Sequence, residues 1–240
     1  MRIAVCLFGL VGNIVGKSGT STIGADQVLK LSYKHWDDKI IKENTQIDFF
    51  IHSWSCDLQS EIDGLFKPVL SKYEPQRTFD IPEHITGTDL RKQSHYSRWY
   101  STQQSMKLKR QYEEKHDFRY DWVMSARFDI AWKKPVKFDR FTNKRFYYGG
   151  WDRDGSIKVI DFWFFSNSIN MDNFCDLYDS IDDYAIDNKN SRQISSHSLA
   201  SRRMDKLGFK TKLIFKYGHF TDPTKSDYPL VRYEYFKALN

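Results

Sequence analysis

Ile3-Ala4-Val5-Cys6-Leu7-Phe8-Gly9 is an unbroken apolar run closed by a glycine. Six apolar residues without polar alternation are the pattern of a strand buried on both faces, as in a parallel sheet covered by helices. Further along, Leu29, Tyr33, Trp36 and Ile40 recur at spacings of four, three and four, one face of a helix. Asp26 stands where a capping residue would. Ile47-Asp48-Phe49-Phe50-Ile51-His52 is a second buried strand. Two such runs around one amphipathic helix make a βαβ unit and point to a parallel sheet.

The alternation continues toward the C-terminus. Tyr73 to His84 carries Pro75 and Pro82 and reads as extended or looped. A long helix is expected over Ser94–Lys115, with Tyr96, Trp99, Gln103 and Met106 on one face. Trp122 to Ala126 is a third strand, ending in Arg127-Phe128-Asp129. Arg145–Tyr148 and Lys158–Phe165 read as strands, and Met171, Phe174, Leu177 and Ile181 as one helix. Ser195–Leu207 is a further helix, stopped by Gly208, before a last strand over Lys210–Tyr217. Without a repeat, a linker or a break in composition, the expectation is one α/β domain over residues 1–240, with a mostly parallel central sheet flanked by helices.

Composition removes several classes. Leu, Ile, Val and Phe make up a quarter of the 240 residues, enough for a packed core. No apolar run reaches the roughly 18–20 residues of a membrane span. Gly (12) and Pro (6) are too few for collagen-like or low-complexity material. The opening run after Met1-Arg2 lacks the small-residue cleavage site of a signal peptide and reads as a strand. Cys6, Cys56 and Cys175 are far apart and in no Cys-x-x-Cys pair. They read as free thiols in a reducing compartment, so a cytoplasmic location is expected. The net charge of +6 is dispersed and biases the chain toward a phosphate-bearing ligand.

Five places carry chemistry-bearing residues. Gly12-Asn13-Ile14-Val15-Gly16-Lys17-Ser18 follows a strand, but Val11 stands where a phosphate-binding P-loop needs its first glycine. The competing reading is a loop bordering the ligand crevice, from which Lys17 could still meet a phosphate. Asp129 is placed to hold a divalent cation against a diphosphate, or simply to pair with Arg127. Gly149-Gly150-Trp151-Asp152-Arg153-Asp154-Gly155 is either a metal loop or, with more weight, a hairpin-type turn. Asp161 lies inside an apolar strand, either as a buried general base with a raised pKa or on the solvated face of an edge strand. His219, after the last strand, is a candidate metal ligand or a structural histidine.

Several of these pieces together resemble small nucleotide-sugar glycosyltransferases of the GT-A fold, particularly capsular-polysaccharide-type and viral or phage members. The likeness runs through Ile3 to Gly9, Asp48-Phe49-Phe50-Ile51-His52-Ser53-Trp54, Ser97 to Ser101 and on through Lys107, Tyr112 and Glu113 to Tyr120-Asp121 and Arg127-Phe128-Asp129. Asp161 with its aromatic strand, then Met171 and Leu177-Tyr178, continue it. The resemblance implies a Rossmann-like GT-A domain and transfer of a sugar from a donor such as a UDP-sugar to a hydroxyl of a glycan or other polymer. It places Phe8, Gly9, Gly12, Lys17, Ser101 and Lys107 with the donor. It places Asp129, with His219, on Mn²⁺ or Mg²⁺. Arg127 stands where the family's Asp-x-Asp motif has its first acid, and can itself offset diphosphate charge. The penultimate helix opens Ser195-Ser196-His197-Ser198-Leu199 without the acid often found there, which moves the catalytic carboxylate to Asp161.

Two other classes fit parts of the sequence. A nucleotide kinase or sulfotransferase would use Gly12 to Ser18. A nucleic-acid binder would use exposed aromatics among basic residues, for which Arg98-Trp99-Tyr100 and Arg140 to Tyr148 are the suitable stretches. Most aromatics sit at core-like positions, so no stable nucleic-acid partner is expected.

Overall fold

The computed structural model describes residues 1–12, 24–153, 156–186, 194–218 and 225–231. Seven strands form one sheet: β1 (Ile3–Gly9), β2 (Ile47–Ser53), β3 (Leu70–Tyr73), β4 (Trp122–Arg127), β5 (Phe146–Arg153), β6 (Ser156–Ser166) and β7 (Thr211–Tyr217). Their spatial order is β3-β2-β1-β4-β6-β5-β7. β1 pairs in parallel with β2 on one side and β4 on the other, Ile3 lying level with both Ile47 and Trp122. β6 runs against β4 and β5, while β5 and β7 are parallel, so β6 alone opposes the common direction. The expected mostly parallel α/β architecture is therefore present.

The first strand shows why. Successive side chains of a strand point to opposite faces. Ile3, Val5 and Leu7 enter one apolar cluster and Ala4 and Cys6 the other, so both faces are dry. α1 (Ala25–Trp36) and α2 (Gln59–Phe66) cover the first face. α3 (Asp89–Lys115), α4 (Ser168–Cys175), α5 (Ile181–Ile186) and α6 (Ser196–Lys206) cover the second. No described helix is long and apolar enough to cross a membrane. Trp36, fully buried, packs edge-on to Trp132 and Phe66, and its indole N–H donates to the Phe128 carbonyl at 3.2 Å. Trp36→Ala would cost about 3–5 kcal/mol, because the cavity adds to the lost transfer energy.

Local details differ from the sequence expectation. Gly24, not Asp26, occupies the cap of α1; Asp26 lies in the first turn, where its charge complements the helix dipole. The face ending at Ile40 continues past α1 through a single π-helical turn, Asp37–Ile41. α3 begins at Asp89, a turn earlier than expected, because Thr88 caps it through the Arg91 N–H. The Met171–Ile181 periodicity is real, but a 3-10 turn over Asp176–Ser180 divides it into α4 and α5. β3 lies in a stretch with no strong period, as an edge strand of four residues. Gly149 and Gly150 extend β5 rather than forming a turn, and the hairpin closes after Arg153. Gly149 marks a register shift there, and a Cβ on it would lie 2.1 Å from the Tyr228 hydroxyl. Asp154 falls outside the described residues.

Candidate active-site cleft

The chain leaves β1 toward β2 and β3 and then returns to the other side of β1 as β4. Such a reversal opens a crevice beyond the carboxyl ends of the strands, where open α/β sheets bind ligands. A cavity of about 550 Å³ lies there. Phe8, Gly9, Leu10 and Gly12 line it from the end of β1, Trp54 from the end of β2, and Arg127 from the end of β4. Leu90, Gln93, Ser94, Ser97 and Arg98 come from the first turns of α3, and Gln76, Arg77 and Thr78 from the connection after β3. The early start of α3 thus matters: Leu90 and Gln93 belong to its unanticipated first turn.

Gly9 ends β1 at φ +95°, where a side chain would be strained. Its N–H donates to Ser101 Oγ at 2.8 Å. Ser101 Oγ also meets His52 Nδ1 at 2.7 Å, and His52 Nε2 meets Glu74 Oε1 at 2.9 Å. Burial lowers His52 to about 4, so the ring is neutral at physiological pH. A neutral ring whose Nε2–H donates to Glu74 accepts the Ser101 proton at Nδ1. The chain of bonds ties β1, β2, α3 and the residue after β3 into one rigid rim. Ser101, expected at the donor, is fully buried and fixes the backbone of Gly9 instead. Lys107 is exposed further along α3 and does not line the cavity.

Three guanidinium groups line the cleft. Arg127 grips Asp129 with Nε and Nη2 each 2.8 Å from a carboxylate oxygen. Asp129 is fully buried, and its carbonyl accepts the Val231 N–H at 2.8 Å. Arg98 bonds Asp161 through Nε at 3.0 Å and through Nη2 to the Asp161 carbonyl at 2.6 Å. Its carbon centre also sits 4.6 Å from the Phe8 ring. Burial draws Arg98 down to about 10, which still leaves it charged at neutral pH. Arg77 stacks at 4.8 Å over Tyr100 and donates to its hydroxyl at 3.0 Å. Among the described residues it has no carboxylate partner, unlike Arg98 and Arg127.

Trp54 is 6 % exposed and stacks on Tyr100 at 5.6 Å with 21° between planes. Its indole nitrogen is buried without a hydrogen-bond partner among the described residues. An orphan donor of this kind costs about 1–3 kcal/mol and calls for a ligand or water.

Asp161 reaches the same edge of the sheet. Phe8 pairs with Arg127, and Ala126 with Trp163, so Asp161 on antiparallel β6 passes beyond the end of β4. His197, in the first turn of α6, brings Nδ1 to 2.7 Å from Asp161 Oδ1. Burial would push the Asp161 carboxyl up, as the sequence reading assumes. His197, Arg98 and Arg127 outweigh burial and hold it well below the usual carboxylate range. A carboxylate held so firmly as an anion is a poor base, so the structure corrects the expected raised pKa.

A divalent cation at Asp129 needs several oxygen ligands. Both Asp129 oxygens already face Arg127, and no group of three or more His, Cys, Asp or Glu among the described residues could hold a metal ion. The described residues do not fit the expected Mn²⁺ or Mg²⁺ site. His219 and Lys17 lie outside the described residues, and of the Gly12–Ser18 loop only Gly12 is described.

The buried aromatics weigh against base stacking: Trp99 is fully enclosed and Tyr100 is 8 % exposed. The sequence reading missed Arg77, Trp54 and His197. Of these, Trp54 closes the family-like stretch Asp48–Trp54, and His197 stands in the helix start that lacks the expected acid. No family model and no curated protein matches the chain. Among solved structures, a crystal structure titled "putative nucleotide-diphospho-sugar transferase" from Desulfovibrio desulfuricans G20 is 10 % identical. It superposes over 90 % of this chain and 80 % of its own, with a TM-score of 0.45.

Proposed function

We propose that the cleft binds a nucleotide-diphosphate sugar and that the protein transfers the sugar to a hydroxyl of a glycan or other polymer. One observation carries this reading. The cavity at the β1/β4 reversal combines cationic Arg77, Arg98 and Arg127 with an aromatic and aliphatic wall of Phe8, Trp54, Leu10 and Leu90. A ligand matching it carries anionic charge together with a flat or apolar part, as a nucleoside diphosphate does. Its size falls in the range of about 300–1,000 Å³ for small-molecule sites. The GT-A resemblance in β1, β2 and the Arg127–Asp129 stretch supports the same class.

In this reading Arg77 meets the phosphates, because no carboxylate among the described residues offsets its charge. Arg127 adds positive field at the end of β4, and its grip on Asp129 fixes the guanidinium. Rigid cations aimed at a departing diphosphate stabilise its developing charge without reorganising. In this reading arginine charge among the described residues, where no metal-holding group occurs, meets the diphosphate, and donor binding is expected not to require a divalent cation.

Thermal unfolding with UDP-, GDP-, CMP- and dTDP-sugars, each with Mn²⁺ or with EDTA, tests the proposal. A ligand at a hundred times its Kd adds about 2.7 kcal/mol. For a chain of this size that raises Tm by roughly 5–10 °C. At least one donor should do so, equally in Mn²⁺ and EDTA. A panel in which none does overturns the reading, and a shift that requires Mn²⁺ overturns its metal-free form.

A further inference from the structure

Arg77 and Gly9 both line the cleft, one from the connection after β3 and one from the end of β1. Two chains of hydrogen bonds lead from them to a single carboxylate, Glu74, which does not line it. In the first, Arg77 Nη1 donates to the Tyr100 hydroxyl at 3.0 Å, and that hydroxyl bonds Glu74. In the second, the Gly9 N–H donates to Ser101 Oγ, which meets His52 Nδ1, and His52 Nε2 meets Glu74 Oε1. Lys72 reaches the other Glu74 oxygen at 3.2 Å. The Glu74 N–H donates to the Ser53 carbonyl at 3.2 Å, so the sheet itself sets where the carboxylate stands.

The direction of every proton in both chains follows from the charge on Glu74. Burial would raise its carboxyl, but His52, Lys72 and Tyr100 outweigh burial and lower it, so it is an anion at neutral pH. A carboxylate only accepts. Tyr100 therefore points its proton at Glu74 and turns its lone pairs to Arg77. His52 carries its proton on Nε2 and takes the Ser101 proton on Nδ1. Ser101 then has only lone pairs for the Gly9 N–H. One charge behind the cleft polarises both chains, and bonds in such a chain strengthen one another.

We infer that Glu74 is a positioning residue of the cleft, fixing Arg77 through Tyr100 and the backbone of Gly9 through His52 and Ser101. This inference rests on the nucleotide-sugar reading, in which Arg77 meets the phosphates. Arg77 is exposed, and a long exposed side chain samples many rotamers unless something holds it. Stacked on Tyr100 and bonded to its polarised hydroxyl, the guanidinium is ordered before a ligand arrives, which lowers the entropy lost on binding.

Titration calorimetry of the full chain with UDP, GDP, dTDP and CMP, each with Mn²⁺ or EDTA, tests this. Glu74→Gln keeps the shape and removes the charge. It should weaken the probes that bind about 3- to 10-fold. Tyr100→Phe keeps the stacked ring and should weaken them by a similar factor, and it carries the test should Glu74→Gln fail to fold. In an Arg77→Ala background, Tyr100→Phe should have no further effect and Glu74→Gln a smaller one. A general loosening of the rim would instead add in full. Independently, ¹⁵N-histidine NMR of the unliganded protein should show a neutral His52 ring protonated at Nε2. Unchanged affinity in both single variants overturns this inference alone. So does full additivity with Arg77→Ala, or an Nδ1–H ring in the wild type. Binding of none of the probes overturns the reading of the cleft and this inference with it.

Discussion

The helix α3 carries two charged clusters, and they are built for different ends. Near its start, Arg98 joins Asp161 and His197 at the carboxyl edge of the sheet. Eleven residues on, about 16 Å along the axis, Lys109 joins Glu113 and Asp172, each at 2.7 Å. Lys109 is completely buried there. Glu113 accepts from Lys109, Arg119, Ser168 and the Tyr120 N–H. That cluster satisfies Glu113 at both carboxylate oxygens and does not line the cleft, so it clamps α3 to α4 and to the entry of β4. The Arg98 cluster instead starts at a side chain that lines the cleft and ends in a partly exposed imidazole. Buried charge alone is thus no sign of function; a charged group that lines a cleft is the better one.

Substitutions can break this contrast. The largest effect belongs to the closed cluster. Lys109→Met removes the buried cation that Glu113 and Asp172 share, leaving them the half-exposed Arg119, and should cost about 3–5 kcal/mol in urea unfolding. Next comes Arg77→Ala, which should weaken donor affinity about 10- to 100-fold by titration calorimetry with little change in unliganded Tm, since a hydrogen bond to a charged group is worth about 1.5–3 kcal/mol. Trp54→Phe keeps the ring on Tyr100 and removes the orphan N–H. It should weaken donor binding up to about 10-fold, the value of one neutral hydrogen bond, while leaving the empty protein as stable or slightly more so.

The smallest effect separates the clusters by pH. Asp161 is held below the ordinary carboxylate range, so its contribution is present above the unfolded value of about 3.9 and is lost as pH falls through its lowered folded value. Asp172 is shifted the other way: burial outweighs the pull of Lys109 and raises it. Its contribution is present below the unfolded value and is lost as pH rises through the folded one. Between about pH 5 and 2, Asp161→Asn should therefore flatten the acid loss of stability, and Asp172→Asn should steepen it. Parallel acid limbs for the two variants would show that the clusters do not differ in this way.

Much of the layer order was legible in one dimension. Ile3 to Phe8 and Ile47 to His52 declared buried parallel strands because local patterning and tertiary burial agree there. β3 escaped because four residues at an edge need no periodic signal. The start of α3 escaped because its cap is a threonine in a polar stretch. The site was less legible: Gly9, Gly12 and Arg127 line the cavity at the sheet edge, whereas Ser101 and Lys107 do not line it. A helix face in the sequence does not say whether a hydroxyl points at a ligand or at a neighbouring backbone N–H.

What the sequence by itself determined is the alternation of strand and helix, since period and length are properties of neighbours along the chain. Only the tertiary structure decided that Asp129 is fully buried against Arg127, that the Trp54 indole N–H meets no partner among the described residues, and that Asp161 takes both Arg98 and His197. The last of these brings groups 63 and 36 residues apart to about 3 Å, and each outcome is set by how strands register and helices pack.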